Sequence, residues 1–144
     1  MSIIESKGIN TEDFWRYSLQ RYQSSKLQDQ LLSLQNDFDG EVNLALLCLW
    51  LDSKNLEIEK KSFTSLETSV VERASKIKSL RLTRNILKSE ISSEQYQQIL
   101  NIELDLEKKQ QQDLVSAINN FMLTETENSD NFSFYLNRLG FSSN

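Results

Sequence analysis

Between residues 73 and 88 the chain carries six cations, Arg73, Lys76, Lys78, Arg81, Arg84 and Lys88, with no acid among them. Three kinds of chemistry suit such a run. Guanidinium forks can pair with carboxylates, and Glu103 and Glu107 stand four residues apart further along, on one face of a later helix. The same cations could replace counterions along the phosphates of RNA or DNA. An open pocket of Arg81, Arg84 and Glu103 with a perturbed carboxylate could support catalysis. Ion pairing is the reading that needs least: folding the chain back on itself about residue 92 brings Arg81 level with Glu103, and Arg73 or Ile77 near Glu107. On a straight helix Arg73 and Arg84 project among Val70, Ile77, Leu80 and Leu87, so at least one guanidinium is expected half buried, where an unpaired charge is costly.

Much other chemistry is excluded by composition. Histidine is absent, which removes Ser-His-Asp and Cys-His pairs and imidazole metal ligands. Gly8, Gly40 and Gly140 lie too far apart to form a phosphate-cradling loop. Asp37, Asp39 and Glu41 hint at a cation loop, but Gly40 comes too early for a calcium site, and helix capping accounts for the acids. No catalytic, cofactor-binding or metal-ligating residue is therefore assigned, and no cofactor is expected. Cys48 is a single cysteine within an apolar run; it reads as a small packed hydrophobe in a reducing, cytoplasmic setting. Trp15 and Trp50 read as core rather than as a ligand pocket.

These groups need helices to position them. The absence of proline and the scarcity of glycine suit long helices in an all-α chain of 144 residues. Asn10 starts a first helix containing Phe14, Trp15, Leu19 and Tyr22, and Ser25 with Gln28 starts a second with Leu27, Leu31, Leu34 and Phe38 on one stripe. Gly40 permits the turn after it. LALLCLWL, within residues 41 to 51, is apolar all round and far shorter than the roughly 20 residues needed to span a bilayer, so it is expected as the central buried helix, with Trp15, Leu27, Leu31 and Leu34 as neighbours. Asn43 within it needs a polar partner, for which Gln35 or a helix end is the candidate. Neither a signal peptide nor a membrane span is read in the sequence.

Thr64 with Glu67, and Ser92 with Gln95, read as capping boxes opening the two arms of a long antiparallel hairpin over about 64 to 122. Gln110 to Gln112 read as solvated helix surface. Residues 1 to 124 are expected as one helical domain, and 125 to 144 as a polar linker and a short aromatic segment around Phe132, Phe134, Tyr135 and Phe141. That segment either folds back on its own domain, the preferred reading, or docks in another protein.

FWRYSLQRY, LLSLQNDFDGEVNLALLCLWL and LRLTRNILK, in this order and spacing, resemble a family of small bacterial proteins catalogued as a domain of unknown function, number 2390. The resemblance covers about residues 12 to 110, and its most specific part is Leu34, Gln35 and Val42 to Leu51. It implies an all-helical cytoplasmic protein with no assigned reaction. Where the family usually has a tryptophan before the arginine matched by Arg73 and a proline before the Leu-Arg matched by Leu80 and Arg81, this chain has Glu72 and Ser79.

The function expected is that of a non-catalytic helical interaction or adaptor module, whose partner is another protein or, in a homodimer, a second copy. A nucleic-acid or ribosome-associated role for residues 73 to 88 is the alternative, disfavoured by the net charge of -5. An enzyme built on the Arg/Glu pocket is the second alternative.

Overall fold

A computed structural model describes residues 2–5 and 9–141, with side-chain detail from residue 9 onward except at Met122. Six helices occur among these residues: α1 (Thr11–Arg21), α2 (Ser25–Phe38), α3 (Val42–Ser53), α4 (Phe63–Leu87), α5 (Ser93–Ile118) and α6 (Asn131–Arg138). Three short strands, β1 (Ser2–Glu5), β2 (Leu56–Ile58) and β3 (Met122–Glu125), form an antiparallel sheet with β3 in the middle. In its register Thr124 stands opposite Ile3 on one side and Glu57 on the other.

The fold is the expected helical bundle around a central helix. Leu44, Ala45, Leu46, Leu47, Cys48, Trp50 and Leu51 of α3 are all buried. They pack with Leu27, Leu31 and Leu34 of α2, Leu66 and Val70 of α4, and Leu114, Val115 and Ile118 of α5. Each of the leucines among them stabilises the fold by about 1.5–3 kcal/mol on leaving water, so the run is satisfied within the protein. Among the described residues no helix is long and apolar enough to cross one.

The first tryptophan departs from expectation. Phe14 stacks on Trp50 with ring centroids 5.1 Å apart, whereas Trp15 lies against α5 beside Asn101, Leu104 and Lys108. Neighbouring helical residues point about 100° apart, so on α1, which buries only the face of Phe14 and Ser18, Trp15 is turned aside.

Helix ends are set by local chemistry. Asn10 Oδ1 accepts the Asp13 N–H at 2.8 Å. The cap of α2 is Ser24, one residue before the expected position, its hydroxyl accepting from Leu27 N. Asp39, not Gly40, is the left-handed residue that ends α2, with φ 56°. Gly40 is needed for another reason: a Cβ there would collide with the side chains of Leu34 and Leu139.

The hairpin is also bounded differently from the sequence reading. Ser92 and Gln95 form the expected reciprocal capping box, but α5 stops at Ile118 and the chain continues into β3. The boundary expected between residues 124 and 125 falls inside that strand. A strand of four residues gives too few alternations to be read from sequence. Beyond it α6 packs on α3, where Tyr135 is buried.

Candidate functional site

The α4–α5 seam holds the charged cluster. Val70, Ile77, Leu80 and Leu87 of α4 recur at alternating spacings of seven and three, and Arg73 and Arg84 fall on the same stripe. Arg84 places Nε 2.5 Å from Glu103 Oε2 and Nη2 3.2 Å from Oε1, while Nη1 donates to the Tyr96 hydroxyl at 2.8 Å. The Tyr96 ring centroid lies 5.6 Å from the guanidinium carbon. Only 16% of the Arg84 side chain and 6% of that of Glu103 is exposed. The hydrogen bond to Glu103 is the main reason the Arg84 pKa is raised still further above the usual arginine value.

The other arginines pair further along α5 than expected. Arg81 faces Glu107, at 3.9 Å, rather than Glu103. Arg73 meets Asp113, with Nε 2.6 Å from Oδ2, rather than Glu107. The cause is geometric: every helical side chain leans toward its own N-terminus. In an antiparallel hairpin α4 side chains therefore lean away from the turn and α5 side chains toward it. Partners must be offset along the chain to meet, and matching Cα levels misses this. Lys88 lies exposed beyond α4 and makes no salt bridge among the described residues; nor does Lys78. Lys76 pairs with Glu72 of its own helix at 3.6 Å.

Glu107 lies one turn beyond Glu103 on α5. Burial is the main cause raising its pKa above the ordinary glutamate value; Arg81 opposes the rise and the Glu103 charge adds to it. Glu41 is raised for the same principal reason, with Asp39 adding to it and a hydrogen bond from Gln110 opposing it.

Asn43 is buried, but its partners are not Gln35, which is half exposed on α2. Asn43 Nδ2 donates to Gln110 Oε1 at 2.7 Å and to the Glu107 carbonyl at 3.1 Å, and its Oδ1 accepts from Gln111 Nε2 at 3.1 Å. Gln111 also donates to Ser18 Oγ at 2.9 Å, and Gln110 donates to the Val70 carbonyl at 3.2 Å. Two of the three glutamines expected on the surface are thus buried amides tying α1, α3 and α4 to α5; Gln112 alone is exposed. The signal was available: Gln111 lies on the stripe of Glu107, Leu114 and Ile118.

A second polar junction had no sequence signal. Asp52 near the end of α3 accepts the backbone N–H groups of Asn131 and Phe132, at 2.9 and 3.1 Å, and so caps α6 from a distance. The Asn131 side chain accepts from Ile58 N and donates to Leu56 O, both at 2.8 Å, completing the edge of β2. Tyr135 Oη accepts the Glu41 N–H at 2.9 Å at the start of α3. Thr64 and Glu67, expected to cap α4, instead hold Arg138: Glu67 takes both its Nε and Nη2, and Thr64 Oγ1 accepts from Nη2 at 3.1 Å.

Chemically, the seam pairs are closed on themselves. The cleft between α4 and α5 lined by Ser69, Glu72, Arg73, Lys76, Asp113 and Ser116 is open to solvent, yet Arg73 and Asp113 already neutralise each other across it. Cys48 is fully buried, and burial pushes its thiol pKa well up, away from a reactive thiolate.

No curated protein and no solved structure matches the chain. A family model described as "Protein of unknown function (DUF2390)" matches residues 13–114, from the first turn of α1 through Leu114 of α5, a span that holds the whole arginine ladder and the Asn43 network but neither β3 nor α6. With more than half of its length matched, the chain belongs to that family.

Proposed function

We propose that the protein is a non-catalytic interaction module of the cytoplasm, and that the distal part of the α4–α5 hairpin is the part it presents to a partner protein. One observation carries the reading. No residue from 78 to 102 is buried, yet this stretch holds the exposed apolar side chains Leu82, Ile86 and Ile102. A projecting arm with uncovered apolar groups suits docking. A catalytic pocket would instead need an open, perturbed carboxylate beside free cations, and Arg84 and Glu103 spend their hydrogen-bonding capacity on each other and on Tyr96. The lone, buried Cys48 suits a reducing compartment.

The test is affinity purification of the tagged chain from its own cell, with and without nuclease, beside a variant carrying Leu82→Asp and Ile86→Asp. Recovery of a defined protein that survives nuclease and is lost with the variant is expected. Recovery abolished by nuclease would shift the reading to nucleic acid, and recovery unchanged by the variant would refute the arm as the presented element.

A further inference from the structure

The outward face of α4 carries a self-complementary pattern. Leu82 is 56% and Ile86 73% exposed, and they sit one turn apart on the side of α4 opposite the seam residues Leu80, Arg84 and Leu87. Lys78 stands four residues before them, and Glu90 four residues after, in the turn that follows α4; both are exposed. The order in sequence is cation, apolar, apolar, anion at an even spacing of four, the anion standing just past the end of the helix. Reversed and laid upon itself, this order sets Leu82 of one copy on Ile86 of the other and Lys78 on Glu90, each contact occurring twice about a two-fold axis. The residues between are small or neutral: Ser79 falls opposite Ser89 and Thr83 opposite Asn85, leaving room for helices to approach to about 8–10 Å. A parallel arrangement would set Lys78 on Lys78, so the charges select the antiparallel one.

We propose that this face is a homotypic interface: a second copy of the chain docks antiparallel on α4, with Leu82 against Ile86 and Lys78 against Glu90, so that the two α4 helices pack on each other with each copy's α5 on the outer side. The proposal rests on the interaction reading above and names the partner. One helix face is smaller than the roughly 800 Å² per partner of a standard interface, so a weak, reversible dimer of roughly micromolar affinity is expected.

Sedimentation velocity of the full chain across about 1 to 500 μM, a range bracketing that affinity, tests it. Concentration-dependent dimerisation is expected, at least about tenfold weaker in Lys78→Glu or Glu90→Lys alone and restored in the double swap, with unchanged circular dichroism melts showing that each variant folds. A monomer at every concentration, or a double swap no better than the singles, overturns the homotypic interface. The interaction reading fails separately: a monomeric chain that still loses a cellular protein on Leu82→Asp with Ile86→Asp retains that reading with a different occupant, whereas a monomer whose recovery is indifferent to those substitutions loses both.

Discussion

Arg84 and Glu103 grip each other at two points across the α4–α5 seam, Nε to Oε2 at 2.5 Å and Nη2 to Oε1 at 3.2 Å, beyond the stretch where the apolar core holds the helices together. The pair is nearly out of water, with the carboxylate side chain the more buried of the two. Arg84→Ala is therefore expected to lower stability by about 3–5 kcal/mol, and Glu103→Ala by less, because the guanidinium left behind reaches solvent more easily. Replacing both by leucine is expected to recover most of the loss. Urea titrations check this, and unchanged midpoints in both alanine variants would contradict a stabilising role for the pair.

Glu107→Gln is expected to do the opposite of Glu103→Ala. The Glu107 pKa is raised in the fold, chiefly by burial. A raised carboxyl contributes stability that is fully present below the pKa of the unfolded chain and is lost as pH rises through the folded value. Its Arg81 contact is loose, at 3.9 Å, and recovers little of this. The glutamine variant should match wild type near about pH 4, where a free glutamate titrates, and melt higher at neutral pH. Thermal melts across that window decide it; a variant that melts lower at neutral pH would show Arg81 to be the stronger influence.

Asn43→Ala strands Gln110 Oε1 and one of the two N–H groups of Gln111 Nε2 inside the bundle, the other still donating to Ser18 Oγ. Among the described residues Gln111 Oε1 already has no hydrogen-bond partner, and Gln111 is 0% exposed, so nothing nearby is free to compensate. The expected cost is about 1–3 kcal/mol for each stranded partner. Gln112→Ala, one residue along and exposed, should stay within about 0.5 kcal/mol of wild type. Equal midpoints for the two variants would remove the network's structural importance.

Tyr135→Phe removes the acceptor for the Glu41 N–H at the start of α3 and is expected to cost about 1 kcal/mol. Asn131→Ala should cost more, since it strands both Ile58 N and Leu56 O at the edge of β2. Amide hydrogen exchange at Ile58 provides the local readout: protection there should fall in the Asn131 variant and hold in the Tyr135 variant. Equal protection in both would mean that Asn131 does not guard that edge.

The helices that carry the seam were legible because their signals are local. Asn10, Ser92 and Gln95 cap helices through contacts three residues apart, and an apolar stripe repeats within a single turn or two. LALLCLWL declared its own burial, since eight consecutive apolar residues leave no polar side to face water. Arg84 could be named as a seam residue for the same reason, from its place among Leu80 and Leu87, and Glu103 from standing four residues before Glu107 on one face of the next helix. What no local pattern contains is the vector between two helices. Which carboxylate each arginine meets depended on the opposite lean of side chains on antiparallel helices, and the interior position of Gln110 and Gln111 depended on α1, α3 and α4 converging on one face of α5. Asp52 capping α6, and Asn131 finishing the edge of β2, join residues more than seventy positions apart. The amino-acid sequence alone determined the first five helices in outline, the caps at Asn10 and Ser92, and the choice of the run within residues 41 to 51 as the centre. Only the tertiary structure decided the pairings, because a hydrogen bond between distant segments is a property of their relative placement and leaves no periodicity in either.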